Sequence, residues 1–353
     1  MNSATKNLTQ DSPANTHKLD QEQINSWDMI FNIATGFRAS LILIEATNLG
    51  YFNCDLVLES YSDVSKRLGI SSTGAKVLLD ALCSMGLVNK TDELYLIDKK
   101  IHTLFNQCND RNITYNISAF KNELQVWMRM AEILKGNSSR TPEYSNELFF
   151  GQIKKFSGLS MFNRIDAESI LPTVAKHIKT NDTIIDFGGG EGYYAKRLSE
   201  MAEFNSYSIV DIENSFCISE EINKPLISSG KLIHITSDAR YFSSTKKYNL
   251  VLMNELTELF PIDEKKLIVD NAISCLSENG YLIITKFPMD ESGTGPGRFP
   301  IFSMRMFLKF NEAYLEKDSD LIDYITSKGL HFENIYHKNR TIIIFKKIKK
   351  EEE

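Results

Sequence analysis

Between positions 184 and 192 the chain reads Ile-Ile-Asp-Phe-Gly-Gly-Gly-Glu-Gly, an apolar run ending in an acid and then a glycine-packed turn. Glycine serves where φ is positive or where a ligand must approach the backbone with no Cβ in the way, so Gly188, Gly190 and Gly192 predict a nucleoside-binding turn. A dinucleotide fingerprint needs a glycine three residues after Gly190, and Tyr193 stands there. Glu191 would also set a negative charge beside any anion drawn to the following helix N-terminus. A nucleoside without pyrophosphate therefore suits the turn better. Asp186 is the first of three acids at strand ends. Asp211 closes the run 206–210, about twenty residues past the glycines, where a carboxylate can accept both ribose hydroxyl protons. Asp238 follows the run 232–236, where it can accept a hydrogen bond from an adenine amine. Three successive acids with no basic phosphate clamp point to S-adenosylmethionine, whose sulfonium and ammonium groups are positive.

The elements that must hold these residues follow from the same pattern. From Ile170 onward strands and helices alternate: strands at 183–187, 207–210, 232–236, 250–253 and 281–286, with helices to Met201, near Ser219 and at 264–277. A helix at 318–328 and two strands at 332–336 and 341–345 follow, giving a mostly parallel sheet closed by an antiparallel hairpin, with ligands at the carboxyl ends of its strands. Before Ile170 the reading changes. Residues 23–135 are mostly helical in pattern, and helices at 61–68 and 71–82 run into short strands at 86–88 and 94–96, the order of a winged helix. DNA recognition would need basic residues on the second helix and the wing. Lys66, Arg67, Lys76, Lys90, Lys99 and Lys100 are instead matched one for one by Glu59, Asp63, Asp80, Asp92, Glu93 and Asp98. Nucleic-acid binding is not expected.

With the glycine turn and the ordered acids in place, the chain resembles the two-domain, class I S-adenosylmethionine-dependent small-molecule methyltransferases of the O-methyltransferase type, over residues 28–346. The resemblance rests on 186–192, on Asp211 after Ile209-Val210, on Asp238 in Ser-Asp-Ala-Arg, and on the strand Tyr248 to Met253. It implies an α/β fold: a Rossmann-like class I methyltransferase domain preceded by an N-terminal, mostly helical winged-helix dimerisation domain. The implied division is a disordered tail at 1–22, the dimerisation domain at 23–140, the cofactor-binding catalytic domain at 141–346 and a charged tail at 347–353. A homodimer is implied, with apolar helices such as 36–49 interlocking with the partner. Phe162-Asn163 resembles the pair that shields the cofactor, although Asp166 replaces the usual Met, and Arg164 is placed to reach the cofactor carboxylate. Trp127 and Met130 would face a small-molecule acceptor. The segment 301–310, with Phe302, Met304 and Arg305, corresponds to the helix that closes the acceptor pocket.

One departure bears on the chemistry. The strand equivalent to 250–253 leads, in the resembling enzymes, to a His-Asp-Trp motif whose His deprotonates the acceptor hydroxyl. Here the stretch reads Asn254-Glu255-Leu256-Thr257-Glu258-Leu259-Phe260, and Glu258 falls on the His. Asn254, at the strand end, is expected to touch the cofactor. A carboxylate can act as base if burial raises its pKa. Three readings stay open: Glu258 as general base, assisted by Glu255; a thioether acceptor that needs no base, its carboxylate clamped by Arg305; or cofactor binding in the service of another activity. Glu258 could also be an ordinary solvated residue at a helix N-terminus.

Composition sets the outer bounds. A length of 353 residues gives about two domains with a real core. The net charge of -6 argues against binding to nucleic acid or to an anionic membrane surface. Cys54, Cys83, Cys108, Cys217 and Cys275 show no C-x-x-C spacing, which fits a reducing cytoplasm. The histidines are isolated from partners at metal spacing, so no metal is expected. No uninterrupted apolar run reaches the length of a membrane span, and neither membrane insertion nor secretion is expected.

Overall fold

The computed structural model describes residues 20–106, 113–136, 161–212, 215–310 and 312–349. The chain folds as two compact units, residues 1–51 with 57–98, and residues 52–56 with 99–353. The expected junction at 141–147 lies outside the described residues.

The first unit opens with α1 (Gln21–Thr35), started by a capping box in which Asp20 and Gln23 satisfy each other's backbone N–H. After Gly36 the chain continues as α2 (Phe37–Asn48). The two helices form one 28-residue run whose most apolar stretch has mean hydropathy 1.4, long and apolar enough to cross a membrane. That modifies the expectation that no segment reaches this length, because interspersed polar residues break the apolar run in sequence while the average over the stretch stays apolar. Then come β1 (Glu59–Ser60), α3 (Tyr61–Leu68), α4 (Ser72–Ser84), β2 (Val88–Thr91) and β3 (Leu94–Ile97), with antiparallel strands in the order β1-β3-β2. This is the winged-helix order. Asp80 of α4 takes a hydrogen bond from Tyr95 and ion pairs from both Lys76 and Lys90. The basic residues of that helix and wing are thus neutralised within the unit.

The second unit begins with α5 (Lys99–Asn106), α6 (Thr114–Met128) and α7 (Met130–Leu134), the last two separated at Arg129 where a single helix was expected. From α8 (Met161–Ala175) the alternation runs β4 (Thr183–Phe187), α9 (Tyr193–Met201), β5 (Ser206–Asp211), α10 (Phe216–Ile222), α11 (Lys224–Ser228), β6 (Leu232–Thr236) and β7 (Tyr248–Asn254). It continues with α12 (Ile262–Cys275), β8 (Leu276–Lys286), α13 (Phe299–Lys309), α14 (Asp318–Ser327), β9 (His331–His337) and β10 (Thr341–Lys346). The strands form one sheet, β6-β5-β4-β7-β8-β10-β9, parallel from β6 to β8, with β10 antiparallel to both β8 and β9.

Side-chain alternation explains why helices cover both faces. Ile184, Leu250, Leu252, Ile342 and Ile344 pack with α8 and α9 through Ile170, Leu171, Val174, Ala195 and Leu198. Ile185, Val251, Met253, Ile343 and Phe345 pack on the other side with α12 and α14 through Ile268, Val269, Ala272, Leu321 and Ile325. Strands buried on both faces read as continuous apolar runs, and the polar residues that end them sit at the rim where the carboxyl ends gather.

Candidate active site

The turn after β4 is built as the glycines require. Gly188, Gly190 and Gly192 have φ of 72°, 48° and 70°, a region costly to residues with a Cβ. At Gly190 a Cβ would meet nothing closer than Asp211 Oδ2 at 3.9 Å, so the turn presents bare backbone toward the strand ends. At Gly192, which starts α9, a Cβ would instead meet Ser219 Oγ at 2.5 Å and Asn223 Nδ2 at 2.6 Å. One glycine leaves room for a ligand and the other lets a helix pack.

Asp211, at the end of β5, accepts the Gly190 N–H at Oδ2 (2.8 Å) and the Ile212 N–H at Oδ1 (2.7 Å). Burial pushes its pKa up, and those two N–H donors oppose the rise. Ser215 engages the carboxylate as well, and of the about four lone-pair sites that a carboxylate offers at least one remains for a ribose hydroxyl. Asp186 is buried beneath the turn, where Tyr207 donates to Oδ2 (2.7 Å) and Asn254 to Oδ1 (3.2 Å). Burial raises its pKa to about 7. Asp238 is committed to Arg240, which donates to both carboxylate oxygens at 2.5 to 3.1 Å and also reaches Glu264 at 2.7 Å. The desolvation of Asp238 is more than offset by that guanidinium, and its pKa lies below the usual range. The bare turn at Gly190 and the half-buried carboxylate of Asp211 behind it fit S-adenosylmethionine: Asp211 would hold the ribose and backbone at Gly190 would lie against the ligand, whereas at Gly188 a Cβ would meet the Leu256 side chain at 2.7 Å.

Asn254 ends β7 and Glu255 follows it. Asn254 bridges Asp186 and Thr285, whose hydroxyl donates to Asn254 Oδ1 at 3.1 Å. Tyr194, next to the glycine turn, engages Thr285 as well, and burial followed by the charges of Glu255 and Asp186 holds its phenol well above the usual pKa. Glu255 takes a positive φ of 50°. Its Oε1 accepts from Arg340 Nε at 2.8 Å, and Arg340 Nη2 reaches Asp166 Oδ2 at 2.7 Å. Burial pushes the Glu255 carboxyl up to about 7 against the pull of Arg340.

Glu258 is not a solvated residue at a helix start. It lies in the 3-10 turn Thr257–Leu259 with 2 % of its surface exposed, and Oε1 accepts the Phe287 N–H at 2.8 Å. Burial raises its pKa while Lys286 and Lys265 oppose the rise. Both lysines are themselves buried and paired, Lys286 with Asp318 at 2.5 Å and Lys265 with Glu316 at 3.1 Å. Glu258 thus pins the chain after β8 within a set of buried ion pairs.

The expected acceptor residues stand as follows. Arg305 on α13 is paired with Glu123 of α6, Nε to Oε1 at 2.8 Å, rather than free to clamp a carboxylate. The same Glu123 accepts the Trp127 indole N–H at 3.2 Å, and Met130 on α7 is exposed. Phe302 packs on Phe287 with ring centroids 4.2 Å apart, and Met304 lies half-buried on the same helix. Arg164 on α8 lies over the Tyr193 ring at 5.2 Å. The side chain of Phe162 lies outside the described residues. Sequence reasoning missed Tyr194, Tyr207, Thr285, Lys286 and Arg340. The one local signal among them was Lys286, a charge closing an otherwise apolar strand.

Residues 161–331 match the family model described as a methyltransferase domain. The chain is 21 % identical over 287 residues to a 3-hydroxy-5-methyl-1-naphthoate 3-O-methyltransferase of Streptomyces sahachiroi, covering 79 % of this chain and 83 % of that one. An O-methyltransferase family protein of Burkholderia thailandensis superposes with a TM-score of 0.77 at 18 % identity, over 92 % of this chain and 99 % of that one. The human N-acetylserotonin methyltransferase, solved with S-adenosylmethionine, superposes with a TM-score of 0.75 at 14 % identity, over 94 % of this chain and 100 % of that one. Glycine turn, strand-end acids, sheet order and sequence likeness converge: the chain carries an S-adenosylmethionine-dependent methyltransferase domain in the fold shared with small-molecule O-methyltransferases.

Proposed function

We propose that this enzyme methylates a hydroxyl of a small aromatic acceptor, with Glu255 as the proton acceptor and Glu258 as a structural carboxylate. The carrying observation is the contrast between the two acids. Glu258 is sealed in and occupied by the Phe287 N–H, whereas Glu255 follows β7, next to the Asn254 that donates to Asp186, with its pKa pushed up to about 7. A base poised near the working pH contributes about 10²- to 10⁴-fold to rate. When bound, S-adenosylmethionine supplies an electrophilic methyl on its sulfonium. Glu255 would accept the proton of the acceptor hydroxyl, the methyl passing from sulfur to that oxygen and leaving S-adenosylhomocysteine. The packed rings of Phe287, Phe299 and Phe302 support a planar acceptor, as does the hydroxynaphthoate in the name of the Streptomyces relative.

The test is to incubate the protein with S-adenosylmethionine and a panel of phenols, amines and thioether carboxylic acids, reading products by mass spectrometry. A methylated phenol, lost in Glu255→Gln and retained in Glu258→Gln, is the expected result. A sulfonium product, or cofactor bound and never converted to S-adenosylhomocysteine, would overturn the reading.

A homodimer is part of the proposal. Every residue of α1 is at least partly exposed, and Trp27 and Ile33 are 60 % and 76 % exposed. An apolar helix left uncovered marks an interaction surface.

A further inference from the structure

We propose that Arg340 is a positioning residue for methyl transfer: its guanidinium fixes the Glu255 carboxylate, and Asp166 holds the guanidinium from the other side. The topology puts Arg340 there. Because β10 runs antiparallel to β8, with Thr341 opposite Lys286, the turn between β9 and β10 lies with the carboxyl ends of the parallel strands. Glu255 is drawn to the same place by its own N–H, which donates to the Thr285 carbonyl at 2.9 Å. Arg340 then donates Nε to Glu255, reaches Asp166 of α8 with Nη2, and gives Nη1 to the Asn339 carbonyl at 3.0 Å. Its plane lies over the Phe287 ring at 3.8 Å, and its side chain is 8 % exposed. A rigid, planar fork can satisfy two carboxylates and an aromatic face at once, which a lysine ammonium cannot.

The arrangement also governs charge. Glu255 is faced by Arg340 from the hairpin, Asp166 from α8, Glu258 from the 3-10 turn and Tyr194 from α9. Burial and the two neighbouring acids favour its protonated form, and Arg340 favours the ionised one. Loss of the guanidinium therefore releases the side chain and raises the pH at which the carboxyl gives up its proton.

The inference rests on Glu255 as proton acceptor, so the experiment separates the two. Full-length Arg340→Gln, Arg340→Lys and Glu255→Gln are compared with the parent by thermal melting, by calorimetric S-adenosylhomocysteine binding and by the pH profile of kcat with 3-hydroxy-1-naphthoate. The Glu255 carboxyl is titrated in parallel by carbon-13 NMR in the S-adenosylhomocysteine complex, which needs no acceptor. Arg340→Gln should bind S-adenosylhomocysteine within about threefold of the parent and lose about 10²-fold in kcat, the scale of a misplaced reacting group. Its acid limb and its Glu255 titration should both move up by about one unit or more, with Arg340→Lys in between. An unmoved Glu255 titration, or parental kcat with an unmoved acid limb, overturns the proposal; if the Gln variant does not fold, the Lys variant decides on the same criteria. Parental kcat in Glu255→Gln overturns the base assignment and this proposal with it.

Discussion

Asp211 accepts one backbone N–H on each oxygen and engages Ser215, and it still keeps a lone pair for a ribose hydroxyl, so its removal should be felt by the ligand. Hydrogen bonds to a charged group are worth about 1.5 to 3 kcal/mol each. Asp211→Ala should weaken S-adenosylmethionine binding at least about tenfold by calorimetry; retained affinity would displace the ribose from this carboxylate. Asp186 makes the complementary case, a carboxyl under the turn whose pKa burial lifts to about 7. A raised folded-state pKa means the native state binds the extra proton between about pH 4 and 7, so its contribution to stability is present at low pH and is lost as pH rises through 7. Without ligand, the parent should therefore lose more melting temperature between pH 5 and 8 than Asp186→Asn does. His234, held below the usual range by burial, acts in the opposite sense but equally in both proteins. Equal pH slopes in the two would remove Asp186 as a titrating group. At this scale the sequence exposed the acids at strand ends through their spacing. It did not expose Arg340, which lies 85 residues from Glu255 and joins it only through the hairpin register.

The turn from β4 to α9 separates folding from binding within a few residues. Gly190→Ala places a methyl at φ 48° with no contact closer than Asp211 Oδ2 at 3.9 Å, so it should cost about 1 to 2 kcal/mol of stability and cut cofactor affinity by crowding the ligand side. Gly192→Ala drives its methyl into Ser219, Asn223 and the Ile209 side chain, and should melt well below Gly190→Ala because α10 must shift to admit it. Thermal melts with and without S-adenosylhomocysteine check both. Should Gly190→Ala keep parental affinity, the ligand does not pass over that backbone. The alternation of elements was legible because strands buried on both faces leave unbroken apolar runs. The early start of β8 at Leu276 was not, since α12 ends at Cys275 and passes into the strand where a longer helix was expected. The burial of Glu258 was also hidden, because a single 3-10 turn is too short to carry a periodic signal that shows which residues point inward.

At the scale of the molecule, α1 is the element whose sequence is least explained by its own chain. Trp27, Met29, Ile30, Phe31 and Ile33 are exposed on a helix with no buried residue, and the helical run through α2 is apolar enough to enter a bilayer. Two occupants would cover such a surface, a second copy or a lipid phase, and they leave different signatures. A twofold pairing of identical helices buries the same apolar side chains from both subunits, and closed twofold dimers are the commonest soluble assembly. Light scattering of the 40.3 kDa chain should then return about twice that mass. Because Trp27 and Ile33 are mostly exposed within the single chain, Trp27→Asp with Ile33→Asp should yield a folded monomer with the parental melting of the sheet domain. A parent chain that is monomeric in buffer and floats with phosphatidylcholine vesicles would replace the dimer with a membrane surface. A dimer that survives both substitutions would move the interface away from α1.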